Sequence, residues 1–124
     1  MLLVVTASHK TASFELLERL SRTPEDVAST VVDMASCVQG AVVLATCNRF
    51  EAYVEMDEPV TAAGAIGVEA VLEAVESSTG IRAEELEGAY EVHAGRRVAE
   101  HLFSVASGLE SVVSGEGEIA GQVR

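Results

Sequence analysis

The stretch AVVLATCNRFEAYVE, residues 41–55, constrains the fold more than any other part of the chain. Two runs rich in small, β-branched and aromatic residues, Ala41 to Ala45 and Phe50 to Glu55, read as strands. So few residues separate them that a hairpin is the natural connection, with Thr46 to Arg49 as its loop. An antiparallel pair in the first half of the chain makes at least part of the sheet antiparallel.

The flanking segments supply partners for that pair. MLLVVTA is a continuous apolar run, which predicts a buried strand. HKTAS is a polar turn in which Ser13 can cap a helix through FELLERL, and the chain turns again at Thr23-Pro24. A second helix is predicted from Glu25, with acids in its first turn, Val27, Val31, Val32, Met34 and Ala35 at helical spacing, and an end at Gly40. After the hairpin, AGAIGVEAVLEAVESSTG predicts a helix stopped by Gly80, and LEGAYEVHAG a short edge strand. The final segment opens as an amphipathic helix. Val98, Leu102, Val105, Leu109, Val112 and Val113 share one face, bordered by His101, Ser104, Gly108 and Ser111. Nothing stops this helical pattern before Arg124, so the chain is expected to continue as a longer protein would. The order β, α in two pieces, β, β, α, β, α predicts an α+β domain over residues 1–124. Its expected form is a ferredoxin-like βαββαβ antiparallel sheet with helices on one face, followed by the C-terminal amphipathic helix.

Composition narrows the function classes. With 124 residues, 48% of them hydrophobic, the chain can bury a core as one domain. It has no apolar run approaching the roughly 20 residues of a membrane span, and its start lacks the pattern of a signal peptide. A cytoplasmic protein without a membrane partner is expected. The two cysteines, Cys37 and Cys47, are then expected to be reduced thiols. The net charge of -12 is concentrated in residues 51–100, where 12 acids face only Arg82, Arg96 and Arg97. Such a surface repels phosphate backbones, so composition alone argues against nucleic-acid binding.

Cys47 is the first chemical candidate. A thiolate is the attacking form of cysteine, and a cation such as Arg49 favours it; the alternative is a small buried hydrophobe. Cys37 reads as packing on the apolar side of a helix. His101, on the border of an amphipathic face, can serve as a general base or orient a reacting group. It can equally be a half-buried histidine bonded to a carbonyl. Cys37, Cys47, His93 and His101 show no ligand spacing, so no metal is expected. Gly115-x-Gly117-x-x-Ala120 formally fits a dinucleotide fingerprint. It is rejected because a helix rather than a strand precedes it and the sequence ends four residues later.

Three segments together resemble the glutamyl-tRNA reductase family. ATCNRFEAYVE is similar to its Thr-Cys-Asn-Arg-x-Glu signature, and HLFSVASGLESVVSGEGEIAGQVR to its long His-Leu-Phe to Gly-Gln-Val-Lys stretch. SHKTASFELLERL is similar to the family's opening segment, with Ser13 in place of the usual proline and Leu17 in place of the usual arginine. The resemblance implies the N-terminal catalytic domain, in which a cysteine thiolate attacks the ester of glutamyl-tRNA to give a thioester. NADPH, bound on a further domain, reduces that thioester to glutamate-1-semialdehyde, the opening of the C5 route to tetrapyrroles. Carried over by motif, Cys47 is the nucleophile and His101 the histidine needed for full activity. Thr46, Asn48, Arg49, Ser111, Glu116, Gly117, Glu118 and Gln122 are implied to line the glutamate pocket, with Glu118 where the family usually has glutamine. Also implied are a homodimer formed through a C-terminal domain not in this chain and a possible glutamate-1-semialdehyde aminomutase partner. Lys10, Arg19, Arg22 and Arg49, outside the acidic middle, are expected to guide the tRNA acceptor end. Two rival readings stand beside this one: a ferredoxin-like amino-acid-binding regulatory module without catalysis, and an acidic interaction scaffold.

Overall fold

The apolar run at the N-terminus forms β1, Leu2–Ser8, and every residue of it after Leu2 is buried. A strand buried on both faces must sit inside a sheet with cover above and below. The computed structural model describes residues 1–57 and 60–106, the backbone alone over 60–64. The remaining elements are α1 (Phe14–Leu20), α2 (Pro24–Met34), β2 (Val38–Thr46), β3 (Arg49–Met56), α3 (Val60–Thr79), α4 (Ala83–Leu86), β4 (Glu91–Ala94) and α5 (Arg96–Ala106). The sheet order is β2-β3-β1-β4, and every neighbouring pair is antiparallel. This is the split βαββαβ arrangement expected of a ferredoxin-like sheet.

Local chemistry explains most boundaries. Ser13 accepts a hydrogen bond from the Leu16 N–H at 3.2 Å, the N-cap expected of α1. Pro24 opens α2, where its missing N–H costs nothing, and Glu25 and Asp26 follow in the first turn. Gly80, at φ 78°, ends α3 and donates its N–H to the Glu76 carbonyl at 2.9 Å.

Two boundaries differ from the sequence reading. The second helix ends at Met34, and Gly40 lies inside β2, at a register irregularity between Val38 and Gly40. There the glycine marks a bulge in a strand rather than a helix stop. Cys37 therefore sits in the turn before β2, half-buried against the core, and not on a helix. The one-turn helix α4 was not expected; the Glu85 carboxylate holds its start by accepting from the Arg82 N–H at 3.0 Å. Arg19 reaches Glu85 at 2.9 Å and ties α1 to it.

The sheet is covered on both faces. On one, Leu3, Val5 and Ala7 of β1 and Phe50, Ala52, Val54 and Met56 of β3 pack against Leu17, Leu20, Val27, Val31, Val71 and Val75 of α1, α2 and α3. On the other, Val4, Leu44 and Tyr53 meet Val98 of α5, with Leu102 alongside. The helices between strands share one face, as expected; α5 lies on the opposite one. Gly95, at φ 63°, makes that crossing possible between β4 and α5, and its N–H is held by the Leu2 carbonyl at 2.9 Å.

Candidate active site

The hairpin that opened the reading is tighter than its sequence suggested. Thr46 and Arg49 pair across it as strand residues, leaving only Cys47 and Asn48 in the turn. Thr46 Oγ1 accepts from the Asn48 N–H at 3.2 Å and holds the turn closed. Cys47 is exposed, Asn48 half-buried, and Thr46 and Arg49 are buried.

Strand register decides what lies beneath this turn. Side chains alternate across a strand, so Ser8, Arg49 and Thr46 form one row on the α5 face and Thr6, Glu51 and Leu44 the next. Adjacent rows are two residues apart along the strand, roughly 7 Å. The face is polar near the hairpin and becomes apolar toward Val4 and Tyr53.

Glu51 is the hub. Its side chain is fully buried, and four groups converge on it. Thr6 Oγ1 and Arg49 Nη1 donate to Oε2 at 2.5 Å and 3.0 Å, the Tyr53 hydroxyl donates to Oε1 at 2.6 Å, and His101 Nε2 makes a close contact with Oε2. A lone carboxylate at such a site would cost several kcal/mol. Burial pushes the Glu51 carboxyl up, but the bonds from His101, Thr6 and Tyr53 and the charge of His101 outweigh it and hold it below the usual range. Glu51 is therefore an anion. An ionised carboxylate only accepts, so in this contact His101 Nε2 is the donor. Burial, and then the Glu51 charge, push the Tyr53 phenol far above its ordinary value, so it stays a neutral donor.

The structure thus joins His101 to Glu51 and Glu51 to Arg49, and Arg49 lies two residues from Cys47 on the same hairpin. It sets His101 one row deeper than the hairpin and bonds its Nε2 to Glu51. A further imidazole, His93 of β4, stacks on His101 with ring centroids 4.9 Å apart. Ser111, Glu116, Gly117, Glu118 and Gln122 lie outside the described residues. Glu51, Thr6 and Tyr53 were not among the candidate side chains. Their signal was present as Arg49-x-Glu51-x-Tyr53, polar groups at period two inside an otherwise apolar strand.

Two cations expected to guide an acceptor end are engaged: Arg19 with Glu85, and Arg22 with Glu18 at 3.4 Å. Arg49 is buried against Glu51. Among the described residues no group of three histidine, cysteine or acidic side chains gathers as a metal site, and no helix is long and apolar enough to cross a membrane.

Comparison with known proteins shows the family of the chain. Residues 5–124 match the family model for the glutamyl-tRNAGlu reductase N-terminal domain. The chain is 56% identical over 124 residues to the glutamyl-tRNA reductase of Clavibacter michiganensis subsp. michiganensis, covering all of this chain and 28% of that protein. It is 42% identical over 129 aligned positions to the enzyme of Tropheryma whipplei strain Twist, again covering all of this chain and 28% of that one. The solved glutamyl-tRNA reductase from Methanopyrus kandleri superposes with a TM-score of 0.66 at 30% identity, over 98% of this chain and 26% of that structure. The chain thus spans 28% of the length of these curated relatives.

Proposed function

The chain belongs to the glutamyl-tRNA reductase family, matching its N-terminal domain, and from that premise we propose that it carries the thioester-forming half of the reaction, with Cys47 as nucleophile. The observation that carries this reading is the placement of an exposed thiol on a two-residue turn rooted directly in a buried, charged network.

In the proposed step the Cys47 sulfur, as thiolate, attacks the ester carbonyl of glutamyl-tRNA. A carbon–sulfur bond forms, the carbon–oxygen bond to the ribose breaks, and the proton released by the thiol ends on the departing ribose oxygen. Thiolate suits this because it is strongly nucleophilic, and the thioester it gives accepts hydride more readily than an ester. The fixed positive charge of Arg49, oriented by Glu51, suits the carboxylate of the glutamyl side chain. Thr46 and Asn48 form the adjoining wall, and Ser111, Glu116, Gly117, Glu118 and Gln122 are assigned the remainder of the pocket, the acids opposite the α-ammonium. His101 acts in this scheme by orientation: its Nε2 proton is committed to Glu51, so it steadies the network that holds Arg49.

Reduction of the thioester is assigned to NADPH on a part of the enzyme outside this chain. The residues here do not fit a dinucleotide: the turn from β1 into α1, His9 to Ser13, has no glycine to admit a pyrophosphate. The remaining partners of the reading are glutamyl-tRNA as substrate, a homodimer formed through other domains, and an aminomutase that takes the semialdehyde product. Arg19 and Arg22 each pair with a carboxylate at the surface, which weakens but does not cancel their attraction for a phosphate backbone.

Incubation with glutamyl-tRNA bearing labelled glutamate, without NADPH, tests the nucleophile. Label is expected on the wild-type protein and not on Cys47→Ala. Label retained by that variant would overturn the assignment, and glutamate binding without any transfer in the wild type would favour a binding module.

A further inference from the structure

The geometry points to His93 as a positioning residue for this site: its imidazole, stacked on His101, fixes the ring plane in which His101 Nε2 meets Glu51. The inference rests on the reading of the site given above. It concerns a residue that neither a motif nor its position in an edge strand had singled out.

A hydrogen bond at Nε2 fixes that atom of the ring against Glu51. The outer torsion of histidine is broad and does not by itself select a plane. A flat neighbour against the ring face restricts tilt of the ring plane. His93 supplies that neighbour from a different element, since His93 is on β4 and His101 on α5. Register sets His93 opposite Val4, on the α5 face of the sheet. The two rings lie 4.9 Å apart, centroid to centroid, with 30° between their planes, inside the range of offset stacking. His93 Nε2 lies 3.7 Å from Glu91 Oε1 on the same strand, a contact longer than a hydrogen bond. Among the described residues, the charged and titratable groups in contact with the pair or with Glu51 include Glu91 from β4 and Glu51, Arg49 and Tyr53 from β3. The stack therefore ties the ring plane of His101 on α5 to β4 at the sheet edge. The consequence for chemistry runs through Glu51 to Arg49: a tilted His101 loosens the carboxylate that orients the guanidinium.

The test uses the protein expressed from its whole reading frame with isotope-labelled histidine. In the wild type the His101 ring resonances are expected to be displaced by the ring current of His93. His93→Leu keeps volume and loses the flat ring, so those resonances are expected to move toward the unstacked position. His93→Phe, which keeps a flat ring, is expected to restore the displacement. Single-turnover transfer of labelled glutamate from glutamyl-tRNA, without NADPH, should slow on the order of 10-fold in His93→Leu, with the half-saturating concentration changed less than about twofold. His93→Phe should return to within about twofold of wild type, and His93→Gln serves as a second ringless variant should leucine prevent folding. Unmoved His101 resonances in the ringless variants overturn the stack, and moved resonances with an unchanged transfer rate overturn the positioning role. Label persisting in Cys47→Ala sinks the nucleophile reading instead, and the resonances still decide the stack on their own.

Discussion

The two faces of the sheet are built on opposite principles. Under α1, α2 and α3 the buried residues of β1 and β3 are hydrocarbon throughout, Leu3, Val5, Ala7, Phe50, Ala52, Val54 and Met56. Under α5 the same two strands present Thr6, Ser8, Arg49 and Glu51, equally buried, with only Val4 and Tyr53 to extend an apolar patch. Burial on the first face contributes roughly 1.5–3 kcal/mol for each large aliphatic side chain. On the second, desolvation of two charges roughly offsets their attraction, so the gain is in orientation rather than stability. The difference teaches where function can be housed in a small domain: on the face whose packing is not the main source of stability.

The sharpest way to break this contrast is to remove one member from each face. Leu17→Ala opens a cavity in the hydrocarbon core and is expected to cost about 2–5 kcal/mol, measured by denaturant unfolding. Glu51→Ala is expected to cost a similar 3–5 kcal/mol, because Arg49 is left buried without its partner. The two should separate on activity at a temperature where both are folded. Label transfer to Cys47 should stay within a few-fold of wild type in Leu17→Ala and fall by a factor of about 100 in Glu51→Ala. Equal losses in the two variants would erase the distinction between the faces.

Acid should act on the buried network through Glu51, a smaller effect than deletion. Folded Glu51 binds its proton less tightly than the same carboxyl in the unfolded chain. The unfolded state therefore takes up more protons as the pH falls. The stability that Glu51 contributes is complete above the ordinary carboxylate value of 4.5 and is lost as the pH drops through and below it. Unfolding midpoints measured between pH 7 and pH 3 should decline less steeply in Glu51→Gln than in the wild type. Parallel declines would show that Glu51 is not the group being titrated. Glu85, also held low by the Arg82 N–H and by Arg19, is fully exposed and is common to both proteins, so it cancels from the difference.

How much of this was legible depended on whether the signal was local. The hairpin, the Ser13 cap, the Gly80 stop and the β4 edge strand are each written in a few adjacent residues, and each is present in the structure, the hairpin with a tighter turn than its sequence suggested. Cys47 and Arg49 stood out because thiol and cation are near neighbours in sequence. Glu51 did not, because its meaning depends on Thr6, 45 residues away, and His101, 50 residues away. Only the register of β1 against β3 and the crossing of α5 bring those groups to one carboxylate. Gly40 misled for a related reason: after a helical run a glycine reads as a stop, and only strand pairing shows that it lies in a bulge. The apolar run of β1 did carry the clue to two covered faces, since a strand with one wet face alternates and this one does not.

Gly95 gives the smallest expected effect and bears on how the second face acquires its helix. Its φ of 63° lies in the left-handed region, and a Cβ placed there would meet nothing within 4 Å. Any penalty for Gly95→Ala is therefore conformational strain, about 1–2 kcal/mol for an L residue in this region, offset in part by the lower entropy of the unfolded chain. A net loss of about 1 kcal/mol is expected in denaturant unfolding. If α5 can reach its face only through this backbone turn, the strain should also reach the site. The His101 ring resonances should broaden or shift in Gly95→Ala, whereas alanine at Gly80, which has the same left-handed backbone at φ 78° but ends a helix on the other face, should leave them in place. Equal disturbance of His101 by both substitutions would mean that the two faces are not mechanically separate.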